Sequence, residues 1–189
     1  FALAILTKQT AFVFLPIFII LALQKTKIRE KILGMVVSFI FIWFAFSFFT
    51  NKNYLSFPIN FYLQTSGGQK HQYLASVNAF NFWYLAGFNN VPDSRQLLSV
   101  SLRWWGISLT LIYTLPFLLK LARSERPRLS QSLAAAGLLN FAVCLFMTRI
   151  HERYLLPSLI FLLPLTSESI LAFILYAFIS LTHFANLYW

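Results

Sequence analysis

Cysteine is all but absent from this chain, which carries Cys144 alone. No internal disulfide can form, and no cysteine-based metal site can be built. Acidic side chains are scarce too: five Asp and Glu stand against fifteen Lys and Arg in 189 residues, for a net charge of +10. Charge of both signs together amounts to 11%, where a soluble domain of ordinary composition carries about a quarter. Also lacking are a glycine-rich phosphate loop, a serine-hydrolase signature, an internal repeat and a heptad pattern. The three histidines, His71, His151 and His183, are scattered, so nothing calls for a metal, and no other cofactor is expected.

What the chain does have is hydrocarbon. It is 59% hydrophobic and 19% aromatic, and the apolar residues come in long runs. A β-barrel needs alternation, which the run from Ile32 onward does not show. Helices satisfy their own backbone groups in lipid, so the pattern predicts an all-α, polytopic transmembrane bundle. It forms a single membrane domain with about six apolar segments, at 1–23, 32–49, 99–119, 132–148, 150–166 and 169–189. Residues 50–98 make an external loop. The opening at Phe1, inside an apolar run and with neither an initiator Met nor a signal-peptide pattern, reads as a longer protein lacking its N-terminal portion.

In a soluble protein +10 would point to nucleic acid, but here the cations cluster between apolar runs, where they set orientation and can touch anionic lipid head groups. The loops 24–31 and 120–131 hold the two basic clusters, and both then face the cytoplasm. The first spanning helix is expected to begin near Thr7 and to carry a kink at Pro16. The pieces Tyr54–Leu63 and Tyr73–Phe88 read as interfacial or re-entrant helices. For Tyr154–Leu165 two readings stand: a thin span over 150–166, or a re-entrant segment broken at Pro157 and Pro164.

One stretch breaks the apolar pattern. Arg149, His151, Glu152 and Arg153 lie between two apolar runs, where charge is expensive. In a helical turn Arg149 and Arg153 would share a face, and two guanidiniums with Lys8 on the same side suit phosphate. His151 could donate to a departing phosphate, and Glu152 could orient an Arg or accept from a sugar hydroxyl. Simple anchoring, with Arg149 and Glu152 as a structural ion pair, is the plainer alternative. Asp93 reads first as a turn residue, His71 and His183 as structural, and Cys144 as a small packed hydrophobe.

The run Thr148 to Pro157, with His151, Glu152, Arg153, Tyr154, Leu155 and Pro157, resembles the "HERY-L-x-P" signature of GT-C superfamily integral-membrane glycosyltransferases. The group is the bacterial relatives of the second mannosyltransferase of GPI-anchor synthesis. Leu6 to Ala11 with Leu15-Pro16 looks like that group's "L-T-K-Q…P" helix. Ser76 to Trp83 with Pro92-Asp93-Ser94 is similar to its "VNAFN-W…PDS" external stretch. The resemblance implies transfer of a sugar, mannose in this group, from a polyprenyl-phosphate donor on the non-cytoplasmic face. It also implies inversion, with a carboxylate base in an earlier external loop that these residues do not include. Donor contacts carried over are Lys8, Arg149, His151, Glu152 and Arg153, with Gln9, Asn78, Asn81 and Asp93 as secondary candidates. The expected partners are the lipid-linked donor and membrane lipids, not nucleic acid. A transporter or flippase for lipid-linked sugars is the alternative reading, and it would want repeat symmetry and a polar path through mid-membrane.

Overall fold

A computed structural model describes residues 9–25, 28–47, 73–125 and 127–188. The chain divides into two compact units, Phe1–Gln72 and Tyr73–Trp189. Tyr54–Leu63, Gly67-Gly68, His71 and Lys8 lie outside the described residues.

In the first unit a 3-10 turn, Gln9–Phe14, leads into helix α1, Leu15–Lys25, and helix α2 follows at Ile28–Ser47. Pro16 therefore stands in the first turn of α1, not within a helix that begins near Thr7. Proline has no N–H to donate and its ring crowds the carbonyl four residues back, so the chain before it tightens into 3-10 geometry.

The second unit is built on three helices long and apolar enough to cross a membrane, and the mostly helical chain is compatible with a membrane protein. These are α4 (Leu102–Arg123), α5 (Leu129–Phe146) and α7 (Ile170–Tyr188); the one-turn helix α3, Phe82–Leu85, precedes them. Between α5 and α7 runs a composite stretch, 3-10 over Glu152–Leu155, then α6 over Leu156–Leu162, then 3-10 over Leu163–Ser167. Pro157 and Pro164 each sit at the start of a new piece, where a missing N–H costs least.

Packing fixes the directions. Gly106 of α4 meets the end of α5 so closely that a Cβ there would lie 2.6 Å from the Phe146 carbonyl oxygen. On α5, a Cβ at Gly137 would lie 2.5 Å from the Leu162 side chain. Asn140 of α5 donates to the Tyr154 carbonyl (3.0 Å) and to the Ser158 hydroxyl (2.7 Å). Small residues and satisfied polar groups of this kind are how helices associate when lipid removes the hydrophobic drive. The stretch Glu152–Ser167 thus descends antiparallel to α5, and α7 returns beside it. With 3-10 ends it is about 28 Å long, close to a hydrocarbon core of about 30 Å.

Residues 73–101 depart from the sequence expectation. The Tyr73–Phe88 piece is not a surface helix; its single helical turn is α3, and the rest is folded loop. Its two arms pair through Ala75 N–H to the Val91 carbonyl (2.7 Å) and Asn90 N–H to the Ser76 carbonyl (2.9 Å). Trp83, 1% exposed, packs with Ala75 and Leu102, against Phe88, Val91 and Trp105. Its indole N–H donates to the Phe146 carbonyl at 2.6 Å. The strands β1, Gln96–Leu97, and β2, Val100–Ser101, add a small antiparallel hairpin to an otherwise helical fold. The reason is local: asparagines and prolines supply turn conformations, and one tryptophan gives the loop a core of its own.

Candidate functional site

The end of the unit where α5 stops and α4 begins carries the charged cluster. Met147 leaves α5 in extended conformation, and Arg149 follows with φ 65°, a left-handed backbone. Its N–H donates to the Leu74 carbonyl at 3.1 Å. Its Nε donates to Asp93 Oδ2 at 2.7 Å, and the guanidinium lies 4.6 Å over the Tyr73 ring. The Thr148 hydroxyl also donates to Asp93 Oδ2, at 3.2 Å. Asp93 is 3% exposed. It stands in a turn, as its neighbours predict, but it is also the buried anchor of the cluster.

Two expectations change here. The carboxylate that pairs with Arg149 is Asp93, not Glu152. Nor do Arg149 and Arg153 share a helical face, because the left-handed residue precedes a 3-10 turn that begins only at Glu152. Arg153 is exposed, its guanidinium 5.9 Å over the Tyr154 ring, with no carboxylate partner among the described residues. Arg149 works as a clasp that fixes residues 150–152.

The clasp aims that segment into a cavity of about 420 Å³. His151 and Glu152 line it, and the His151 and Tyr154 rings stand nearly perpendicular with centroids 5.5 Å apart. Asn81, Phe80 and Tyr84 come from the loop, Phe141 and Leu145 from α5, and Phe178, His183 and Asn186 from α7. Phe80 N–H donates to Asn186 Oδ1 at 3.0 Å, which ties the loop to the end of α7. The wall is mostly apolar with a few convergent polar groups, the usual make-up of a ligand pocket. Among the described lining residues there is no Lys or Arg.

The remaining predicted residues divide. Asn78, with φ 54°, exchanges two hydrogen bonds with Asn89, each 3.0 Å, and stabilises the loop away from the cavity. Asn81 caps α3 through Oδ1 to the Tyr84 N–H and faces the cavity as well. Of Gln9 only the backbone is described. His183, read as structural from the sequence, is buried and lines the cavity from α7. Thr182, His183 and Asn186, polar residues within one turn of an otherwise apolar helix, were the available signal.

Mostly helical, with three candidate spans and a mostly apolar cavity at one end, the chain was compared with protein-family models, curated proteins and solved structures. It has no significant match in any of the three comparisons.

Proposed function

We propose that this chain belongs to a membrane glycosyltransferase of GT-C type that takes a sugar, mannose in this reading, from a polyprenyl-phosphate donor. The observation that carries the proposal is the joining of two stretches far apart in sequence. Asp93 and Trp83 of the external loop hold Arg149 and Phe146 directly, and the cavity opens beside that joint. Those are two of the three stretches on which the resemblance rests. The third runs from Leu6 to Pro16, and of it Leu6 to Lys8 lie outside the described residues.

The chemistry follows from the residue types. A lipid-linked sugar phosphate offers apolar, hydroxyl and anionic parts, and this end of the unit offers a partner for each. Transfer forms a bond from an acceptor oxygen to the anomeric carbon while the bond from that carbon to phosphate oxygen breaks, with inversion. Exposed Arg153 neutralises the departing phosphate, and His151 donates a hydrogen bond to it. Glu152 accepts from a sugar hydroxyl. No residue here is assigned the general base. In a bacterial plasma membrane, the basic segments 24–31 and 120–131, which the fold places mostly at helix ends, face the cytoplasm and the cavity faces outward, since Lys120 and Arg123 close the opposite end of α4.

The test is donor binding. The purified chain in detergent is titrated with a short-chain polyprenyl-phosphate mannose and read by calorimetry. His151→Ala, Glu152→Gln and Arg153→Ala should each weaken binding about tenfold, worth ~1.4 kcal/mol. A wild-type chain that fails to bind the donor, or three variants that bind it unchanged, would defeat the reading.

A further inference from the structure

His183 is 6% exposed and Asn81 is 2% exposed, both line the cavity, and each keeps one polar atom without a hydrogen-bond partner: Nδ1 of His183 and Nδ2 of Asn81. Buried polar groups are nearly always paired, because leaving one unpaired forfeits its hydration for nothing. Here the two residues that carry such atoms line one cavity. Phe80, next to Asn81, donates to Asn186, one helical turn beyond His183. The Asn81 amide oxygen already accepts from the Tyr84 N–H, so the atom of that amide left without a partner is its donor. Aromatic side chains supply much of the remaining wall, and Glu152 adds an acceptor.

An anion does not fit this lining. No cation lines the cavity among the described residues, and Glu152 would repel a phosphate. A hydroxyl group does fit, since it can accept from Asn81 Nδ2 and either donate to or accept from His183 Nδ1 according to the imidazole tautomer. Aromatic walls offer flat surface to the C–H face of a ring. Resting on the glycosyltransferase reading, we propose that the cavity is a neutral-sugar pocket in which Asn81 and His183 hold ring hydroxyls, while the phosphate of the donor stays at its edge, between His151 and Arg153. His183 is then a specificity-determining residue.

The experiment is saturation-transfer NMR on the purified chain in detergent micelles, with methyl α-mannopyranoside as the neutral probe and inorganic phosphate as its competitor. Wild type should saturate the glycoside, and phosphate at matched concentration should leave that signal in place. Asn81→Asp keeps the cap oxygen and removes the donor, and should cut binding about tenfold. His183→Leu should do the same while its thermal midpoint stays level or rises, because an unpaired polar group has been replaced by an apolar one. His183→Asn, which returns a polar atom near Nδ1, should recover most of the binding. Absent saturation in wild type, competition by phosphate, unchanged binding in His183→Leu, or a lowered midpoint in that variant would each overturn the proposal. The two readings fail separately. Mannoside binding without binding of the polyprenyl-phosphate donor sinks the enzyme assignment and keeps the pocket. Donor binding that ignores these variants does the reverse.

Discussion

Arg149 combines an unfavourable backbone with a favourable side chain. A non-glycine residue at φ 65° costs roughly 1 kcal/mol, and the Asp93 ion pair, the Tyr73 ring and the Leu74 carbonyl together hold it there. The partners are unequally buried: the side chain of Arg149 is 27% exposed and that of Asp93 4%. Removing the arginine strands a carboxylate away from water, whereas removing the aspartate leaves a cation that water can reach. Arg149→Ala should therefore destabilise the unit by about 3 kcal/mol and Asp93→Ala by about 1–2 kcal/mol, measured by thermal or denaturant unfolding in detergent. Equal small losses would mean that the clasp does not hold the loop. The same contrast separates Arg149 from Arg153, whose replacement should leave stability within ±0.5 kcal/mol, as is usual for an exposed residue.

Among the elements, the helix contacts are decided by two glycines of different kind. A methyl at Gly106 meets the backbone oxygen of Phe146, which cannot move without shifting the clasp. A methyl at Gly137 meets Cγ and Cδ2 of the Leu162 side chain, which can yield by a change of rotamer where backbone cannot. Gly106→Ala should cost about 2 kcal/mol and Gly137→Ala less than about 1 kcal/mol in unfolding measurements. A reversed order would contradict this packing. The three candidate spans were legible in the sequence because hydrocarbon runs and basic clusters alternate, and both are local signals. So was the break near Pro157 and Pro164. The folded loop was not: its core depends on Trp83 meeting Leu102, and its attachment on Trp83 reaching Phe146, pairings that no periodicity encodes. Pro16 was misplaced because an apolar run shows where a helix can be, not where α geometry gives way to 3-10.

At the scale of the molecule, the second unit has two chemically distinct ends. Lys120, Arg123 and Arg128 gather where α4 passes to α5, and Asp93, Arg149, His151, Glu152 and Arg153 gather at the other end with the cavity. The charged cluster was visible in the sequence as an anomaly, but its division of labour was not. Arg149 pairs with Asp93 of the loop 73–101, and His183 enters the cavity from the last helix, both by contacts that only the fold creates. The central claim is that this end receives a lipid-linked sugar phosphate. Its most direct test is photo-crosslinking of the chain, reconstituted in lipid nanodiscs, with a polyprenyl-phosphate mannose carrying a diazirine near the phosphate, followed by mass-spectrometric mapping. The account predicts adducts within residues 79–85, 150–155 and 178–186, displaced by unlabelled donor. Adducts confined to the Lys120–Gln131 end, or spread along the exposed apolar sides of α4 and α7 and insensitive to competitor, would contradict it.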